Sequence, residues 1–209
     1  MCPPPEYPLC GLPLVGLPQA ADEFTAEERS ILLKLAHESI ESALEQRELS
    51  LIPPSPHLAE PRGAFTTVCL HGALRGCVGY ALPTKSLYST VAETARAAAF
   101  EDSRFSPISR DEARAIEVSL SILSLLTPVR PEDVEVGRHG LVVSSAGRRG
   151  LLLPQVPVEH GWDRITFLEQ TCRKAGLPPA EWRKGATLEA FTAEVFGDAD
   201  SFSSAKEPA

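Results

Sequence analysis

The chain has 209 residues, 43% of them hydrophobic and 23% charged, the composition of an ordinary folded protein with one sizeable core. Its 28 acidic side chains against 20 basic ones give a net charge of −8, which argues against a general nucleic-acid binder. No apolar run approaches the roughly 18 residues that a membrane span needs. The five cysteines, Cys2, Cys10, Cys69, Cys77 and Cys172, are odd in number and scattered. No pair has zinc-ligand spacing and no secretory leader is read, so the expected compartment is the reducing cytoplasm, with no metal site and no cofactor assigned.

Residues 1–20 carry six prolines and are expected to form an extended arm, with a single α+β domain over 21–197 and a flexible tail over 198–209. Thr25 with Glu28 makes a capping box, and Ile31, Leu32, Leu35, Ile40 and Leu44 recur at helical spacing to about Arg47. Pro53, Pro54 and Pro56 make the next stretch a loop. The β-rich residues 64–71, the turn signal His71-Gly72 and residues 73–80 predict a hairpin.

Residues 86–101 then place Leu87, Val91, Ala95 and Ala98 on one helical face, with alanines suited to close packing on a sheet. Residues 102–107 are a turn, and Ser109 with Glu112 forms a second capping box. Ile116, Val118, Leu120 and Ile122 alternate with polar residues as a half-buried strand. Residues 140–145 and 150–153, joined around Gly147-Arg148-Arg149, predict a second hairpin. Asp163 caps a helix that stops at Gly176, and a β-like run at 191–196 follows. No internal repeat is visible. The sum is an α+β protein: an antiparallel-rich mixed sheet under about three main helices, in two closely associated parts at most.

The segment most suggestive of chemistry is 74–79, Leu-Arg-Gly-Cys-Val-Gly. Alternation along a strand puts Arg75 and Cys77 on one face, while Gly76 and Gly79 allow close approach to the backbone. Cys77 reads as a thiol nucleophile or as a small packed residue; a nucleophile needs a base, and His71, His139 and His160 are the histidines considered, His160 beside Glu159 foremost. Arg75 reads as an anchor for a small anionic ligand or as the partner of Asp102, Glu101 or Glu117. Asp102 and Arg104 form a charged turn that either binds a ligand or orders the backbone. Pro154 and Pro157 stiffen the segment holding Gln155, Glu159 and His160, which either line a cleft rim or form a rigid connector. Between Arg138 and Lys184 eight basic residues face four acidic ones, a net +4 within a chain of −8.

Six separated blocks, LRGCVG (74–79), EDSRFSP (101–107), EVSLSIL (117–123), GLLLPQV (150–156), residues 159–162 and FLEQTCRKAGL (167–177), stand in order and together resemble the AMME chromosomal region gene 1 family. In prokaryotes that family is known as AmmeMemoRadiSam system protein A. Val78 stands where the family motif usually has Ile, and Ser103 where Pro is common. The resemblance implies a compact α+β fold of two associated parts without an established activity. It also implies association with a Memo-like protein and a radical SAM protein. Two functions compete: an accessory or binding module, and a small-molecule enzyme using Cys77 with Arg75 as anion anchor and His160 or Glu159 as base.

Overall fold

Thr25 starts the first helix as its neighbours require: its hydroxyl accepts the Glu28 N–H, and the Glu28 carboxylate accepts the Thr25 N–H in return. The computed structural model describes residues 23–198, so the proline-rich arm and residues 199–209 lie outside the described part. Its described residues divide into two compact units, Phe24–Ile122 with the residues from Val195 onward, and Leu123–Glu194 with Glu23.

In the first unit, α1 (Ala26–Glu45) ends at Gln46, which takes a left-handed conformation at φ 57°. Strands β1 (Ala64–Leu70) and β2 (Ala73–Tyr80) pair antiparallel around a two-residue turn in which both His71 and Gly72 have positive φ, at 50° and 76°. That twist matches the strands it joins. Ser86 caps α2 (Leu87–Phe100) by accepting the Ser89 N–H. The alanines of α2 bring its backbone so near β2 that a Cβ at Gly76 would overlap the Ala98 carbonyl. Strand β3 (Ile116–Leu123) pairs antiparallel with β1, from Ala64 opposite Ile122 to Leu70 opposite Ile116. Leu32, Leu35, Ile40, Val68, Val91 and Leu120 are among the residues that fill the core of this unit.

The second unit repeats the plan. After the two-residue strand β4 (Thr127–Pro128) come β5 (Gly140–Ser145) and β6 (Arg148–Leu152), a second antiparallel hairpin turned by Ala146 and Gly147 at φ 49° and 75°. The two left-handed positions fall at 146 and 147, so Arg148 and Arg149 open β6 and are not part of the connecting turn. Short α3 (Gln155–Glu159) follows, then α4 (Arg164–Lys174), capped by the Asp163 carboxylate on the Thr166 N–H and stopped by Gly176 at φ 70°. Strand β7 (Thr187–Phe191) pairs antiparallel with β5. Leu141, Val143, Phe167, Leu168 and Leu188 are part of the core here. The 154–160 segment is therefore helical where its prolines suggest a stiff connector. Pro154 sits at the N-cap and Pro157 in the first turn, where a missing N–H leaves no helical bond unmade.

The α+β class holds, with the strands divided between two four-stranded sheets of order β2-β1-β3-β8 and β4-β7-β5-β6. Strand β8 is Ala193–Gly197. Read from their hairpin ends, both sheets have the same plan: second hairpin strand, first hairpin strand, the strand after the helix, then an outer strand. That outer strand is exchanged. β4, which follows β3 in the chain, lies in the second sheet, and β8, which follows β7, lies in the first. A topological repeat is thus present where the sequence shows none, because its equivalent positions carry different residues. Glycine does recur: Gly72 and Gly147 take the second place of the two hairpin turns, and a Cβ at Gly150 would overlap the Ala175 backbone of α4 as one at Gly76 would overlap α2. Asp198, where the tail was expected to begin, accepts the Val118 N–H at 2.7 Å and pairs with His37 at 2.9 Å.

Candidate functional site

The hairpin register skips one residue. Cys69 faces Leu74 and Val68 faces Gly76, leaving Arg75 as the extra residue of a β-bulge. Strict alternation does not run across a bulge, so the expected common face of Arg75 and Cys77 has no basis in the register. Arg75 instead donates to Glu112 Oε1 at 3.0 Å. Its partner is none of the three acids expected from sequence. Glu112 is held below the usual carboxylate range, chiefly by the Ser109 N–H and hydroxyl and then by Arg75. The second capping box thus doubles as the anchor of the Arg75 guanidinium.

Two residues on, the edge of β2 is closed. The Cys77 backbone N–H donates to Asp102 Oδ2 at 2.9 Å, and the Cys77 carbonyl accepts from Arg104 Nη2 at 3.4 Å. Asp102 also accepts from Arg104 N, Nε and Nη2, at 3.2, 2.9 and 2.6 Å. Its side chain is only 7% exposed. The Arg104 guanidinium first, and the Cys77 N–H after burial's opposing push, hold the Asp102 carboxyl well below its ordinary range. A carboxylate and a guanidinium stand here where the C=O and N–H of a neighbouring strand would stand. The turn at 102–104 therefore blocks this part of an otherwise pairable edge.

The Cys77 sulfur lies half-buried and accepts the Thr67 hydroxyl at 3.4 Å. Among the described residues of its unit, no histidine or carboxylate is hydrogen-bonded to it. Gly76 and Gly79 have packing reasons for lacking a side chain, the first beneath α2 and the second beneath the Phe65 ring. Gln155, Glu159 and His160 belong to the second unit, on and just after α3, where His160 stacks on Trp162 with ring centroids 4.7 Å apart. His139 accepts the Glu135 N–H through Nδ1, which commits that nitrogen, and burial lowers its pKa. His71 occupies the hairpin turn. Cys172 is fully buried in the second core, and burial pushes its thiol pKa up.

The structure thus brings Cys77, Asp102 and Arg104 together through the backbone, and joins Arg75 to Glu112. Sequence reasoning missed Glu112, although its capping box was visible, and it missed Phe65 and Thr67, whose roles depend on cross-strand register. An open groove of about 610 Å³ lies elsewhere, lined by Lys34, His37, Glu38, Glu41 and Arg47 of α1 and its end together with Asp198. Among the described residues no group of three or more His, Cys, Asp or Glu side chains is placed to hold a metal ion. No helix among them is long and apolar enough to cross a membrane.

The AMMECR1 family model matches residues 33–196, and the chain belongs to that family. Protein MK0488 of Methanopyrus kandleri is 41% identical over 189 residues, covering 84% of this chain and 90% of its own. Protein Mbar_A1807 of Methanosarcina barkeri is 39% identical over 183 residues, covering 82% and 91%. Among solved structures, an uncharacterized protein, PH0010 from Pyrococcus horikoshii, shares 37% identity at a TM-score of 0.66, covering 80% of this chain and 89% of that one.

Proposed function

We propose that this protein is a cytoplasmic accessory or binding module that works beside a Memo-like protein and a radical SAM protein. The observation that carries the reading is the internal commitment of the charged groups around Cys77. Arg75 is taken by Glu112, and Arg104 is taken by Asp102, which also holds the strand backbone. A thiol enzyme of the competing kind needs a base within hydrogen-bond reach of the sulfur and a guanidinium open to an anion. The groups here make a rigid, ion-paired surface instead. The family resemblance supplies the two named partners.

The test has two arms. Affinity capture of the tagged full chain from its native host is expected to recover a Memo-like or a radical SAM protein. Iodoacetamide labelling across pH 5–10, read by mass spectrometry with Cys172 as the buried control, is expected to show slow, unselective modification of Cys77. Fast selective labelling of Cys77 at neutral pH, with neither partner recovered, would replace the module by a thiol enzyme.

A further inference from the structure

The two sheets treat their hairpin edges differently. In β6 the two-residue turn makes Ser145 and Arg148 a hydrogen-bonded closing pair, and the register then runs without interruption to Leu141 opposite Leu152. Hydrogen-bonded and non-bonded pairs therefore alternate, so Arg149 and Leu151 turn both their N–H and their C=O away from β5. β6 is the outermost strand of its sheet. On β2 the corresponding outward groups at Cys77 are occupied by Asp102 and Arg104. On β6 no side chain or backbone group among the described residues takes the place of that plug.

The surroundings of this edge are cationic. Arg148 donates to the Gly176 carbonyl at 2.6 Å, which ties the strand to the end of α4. Gly150, the residue between the two outward-facing positions, lies directly beneath Ala175. The last turn of α4 therefore brings Arg173 and Lys174, both exposed, over the strand. Arg149 has Glu189 as an ion-pair partner at 3.3 Å, while Arg173 and Lys174 have no carboxylate within ion-pair distance among the described residues. The nearby acids are few: Glu181 is engaged by the Ser145 hydroxyl, and Glu169 lies one turn back on α4.

We propose that β6 is a strand-addition edge that receives an extended acidic segment of a partner protein. Main-chain bonds to Arg149 and Leu151 would supply the affinity, and Arg148, Arg173 and Lys174, none of them paired with a carboxylate among the described residues, would select an acidic sequence over a neutral or basic one. The arginines that discourage indiscriminate edge pairing then become the selectivity device. This site is separate from Cys77, and it stands whether or not Cys77 proves reactive.

The probe is a fluorescein-labelled octapeptide of alternating Val and Glu, titrated into the full chain and followed by anisotropy. Three controls accompany it: the Val and Lys counterpart, the acidic peptide N-methylated at alternate residues, and an Arg173→Glu/Lys174→Glu variant whose fold is checked by circular dichroism. Saturable binding is expected for the acidic peptide, weaker by about tenfold or more with each control. Amide exchange should locate it: Arg149 and Leu151 exchange fast in the free protein and slow by about tenfold or more on adding peptide. The N-methylated probe removes hydrogen bonds without touching the protein, so the test does not depend on a variant that folds poorly. Equal binding of the N-methylated peptide, protection confined to β2 or β8, or no saturable binding overturns the proposal.

Discussion

Asp102 accepts the backbone N–H of Cys77 from 25 positions further along the chain, and Arg104 closes the carbonyl of the same residue. This pairing links two of the sequence blocks, 74–79 and 101–107, physically. The acidic turn after α2 is there to finish a sheet edge. It also gives the turn a reason to tolerate a carboxylate at a helix C-terminus, where the dipole disfavours one: the nearby guanidinium and the strand N–H more than offset it.

Replacing Asp102 by Asn is expected to cost about 2–3 kcal/mol at neutral pH, since a nearly buried charge-assisted network loses its charge. The folded carboxyl is depressed relative to an unfolded value near ~3.9. Its contribution is therefore complete above about pH 5 and falls away as the pH drops toward the folded value. Urea unfolding of both proteins between pH 3 and 7 checks this, the gap shrinking on the acid side. A gap independent of pH would mean that geometry, and not charge, holds the turn.

Gly76→Ala is expected to destabilise by about 3 kcal/mol or more, because the obstacle is the Ala98 backbone and only displacement of α2 relieves it. Gly79→Ala meets the Phe65 ring, which can move, with the Ala64 carbonyl at 2.7 Å as the harder limit. Phe65→Leu in the Gly79→Ala background should recover part of the loss. The same change should recover nothing in the Gly76→Ala background. Thermal midpoints of the four variants decide it.

His37 is raised above its ordinary value, first by its hydrogen bond to Asp198, against burial. Burial pushes Asp198 up, but the bonds from His37 and the Val118 N–H outweigh it and keep the carboxyl low. The histidine's contribution is full below an unfolded value near ~6.5 and is lost as the pH rises through its higher folded value; that of the aspartate is full above ~3.9. The pair is strongest between those limits. Its side chains are 30% and 24% exposed, which keeps its worth at about 0.5–1 kcal/mol. His37→Gln should therefore lower stability at pH 5 and leave it nearly unchanged at pH 9, Glu38, Glu41 and Lys34 being present in both proteins. An equal loss at both values would exclude the ion pair as the cause.

Ala146→Asn should stabilise by about 0.5–1 kcal/mol, because Ala146 holds a left-handed φ of 49° that costs an alanine more than an asparagine. Denaturant midpoints suffice to measure it. No gain would mean that the side-chain amide finds no partner at the tip of the turn.

Local chemistry was legible in the sequence wherever the determining residues are neighbours. The Thr25 box, the His71-Gly72 turn, the alanine face of α2 and the Asp163-to-Gly176 limits of α4 all follow from residues within a few positions of one another. What escaped depends on distance along the chain. The bulge at Arg75 is set by how Val68 and Cys69 meet the opposite strand, and its partner Glu112 lies 37 positions further along the chain. The helical form of 155–159 was hidden because two prolines usually argue against a helix, and only their placement at its start removes the objection. The exchange of β4 and β8 was invisible for the same reason: short runs of β-forming residues carry no label for the sheet they join.

That exchange has a consequence for biosynthesis. The first sheet takes its outer strand from Ala193–Gly197, near the end of the described residues. A ribosome must therefore deliver every residue through Gly197 before the sheet begun by the β1–β2 hairpin can acquire its last neighbour. Until then β3 waits with one side unpaired, a surface that a chaperone could occupy. The stretch from β1 to β3 does not encode a self-sufficient sheet, whereas β4 to β7 supply the second sheet in full, so a break between β3 and β4 would leave the first fragment without its outer strand.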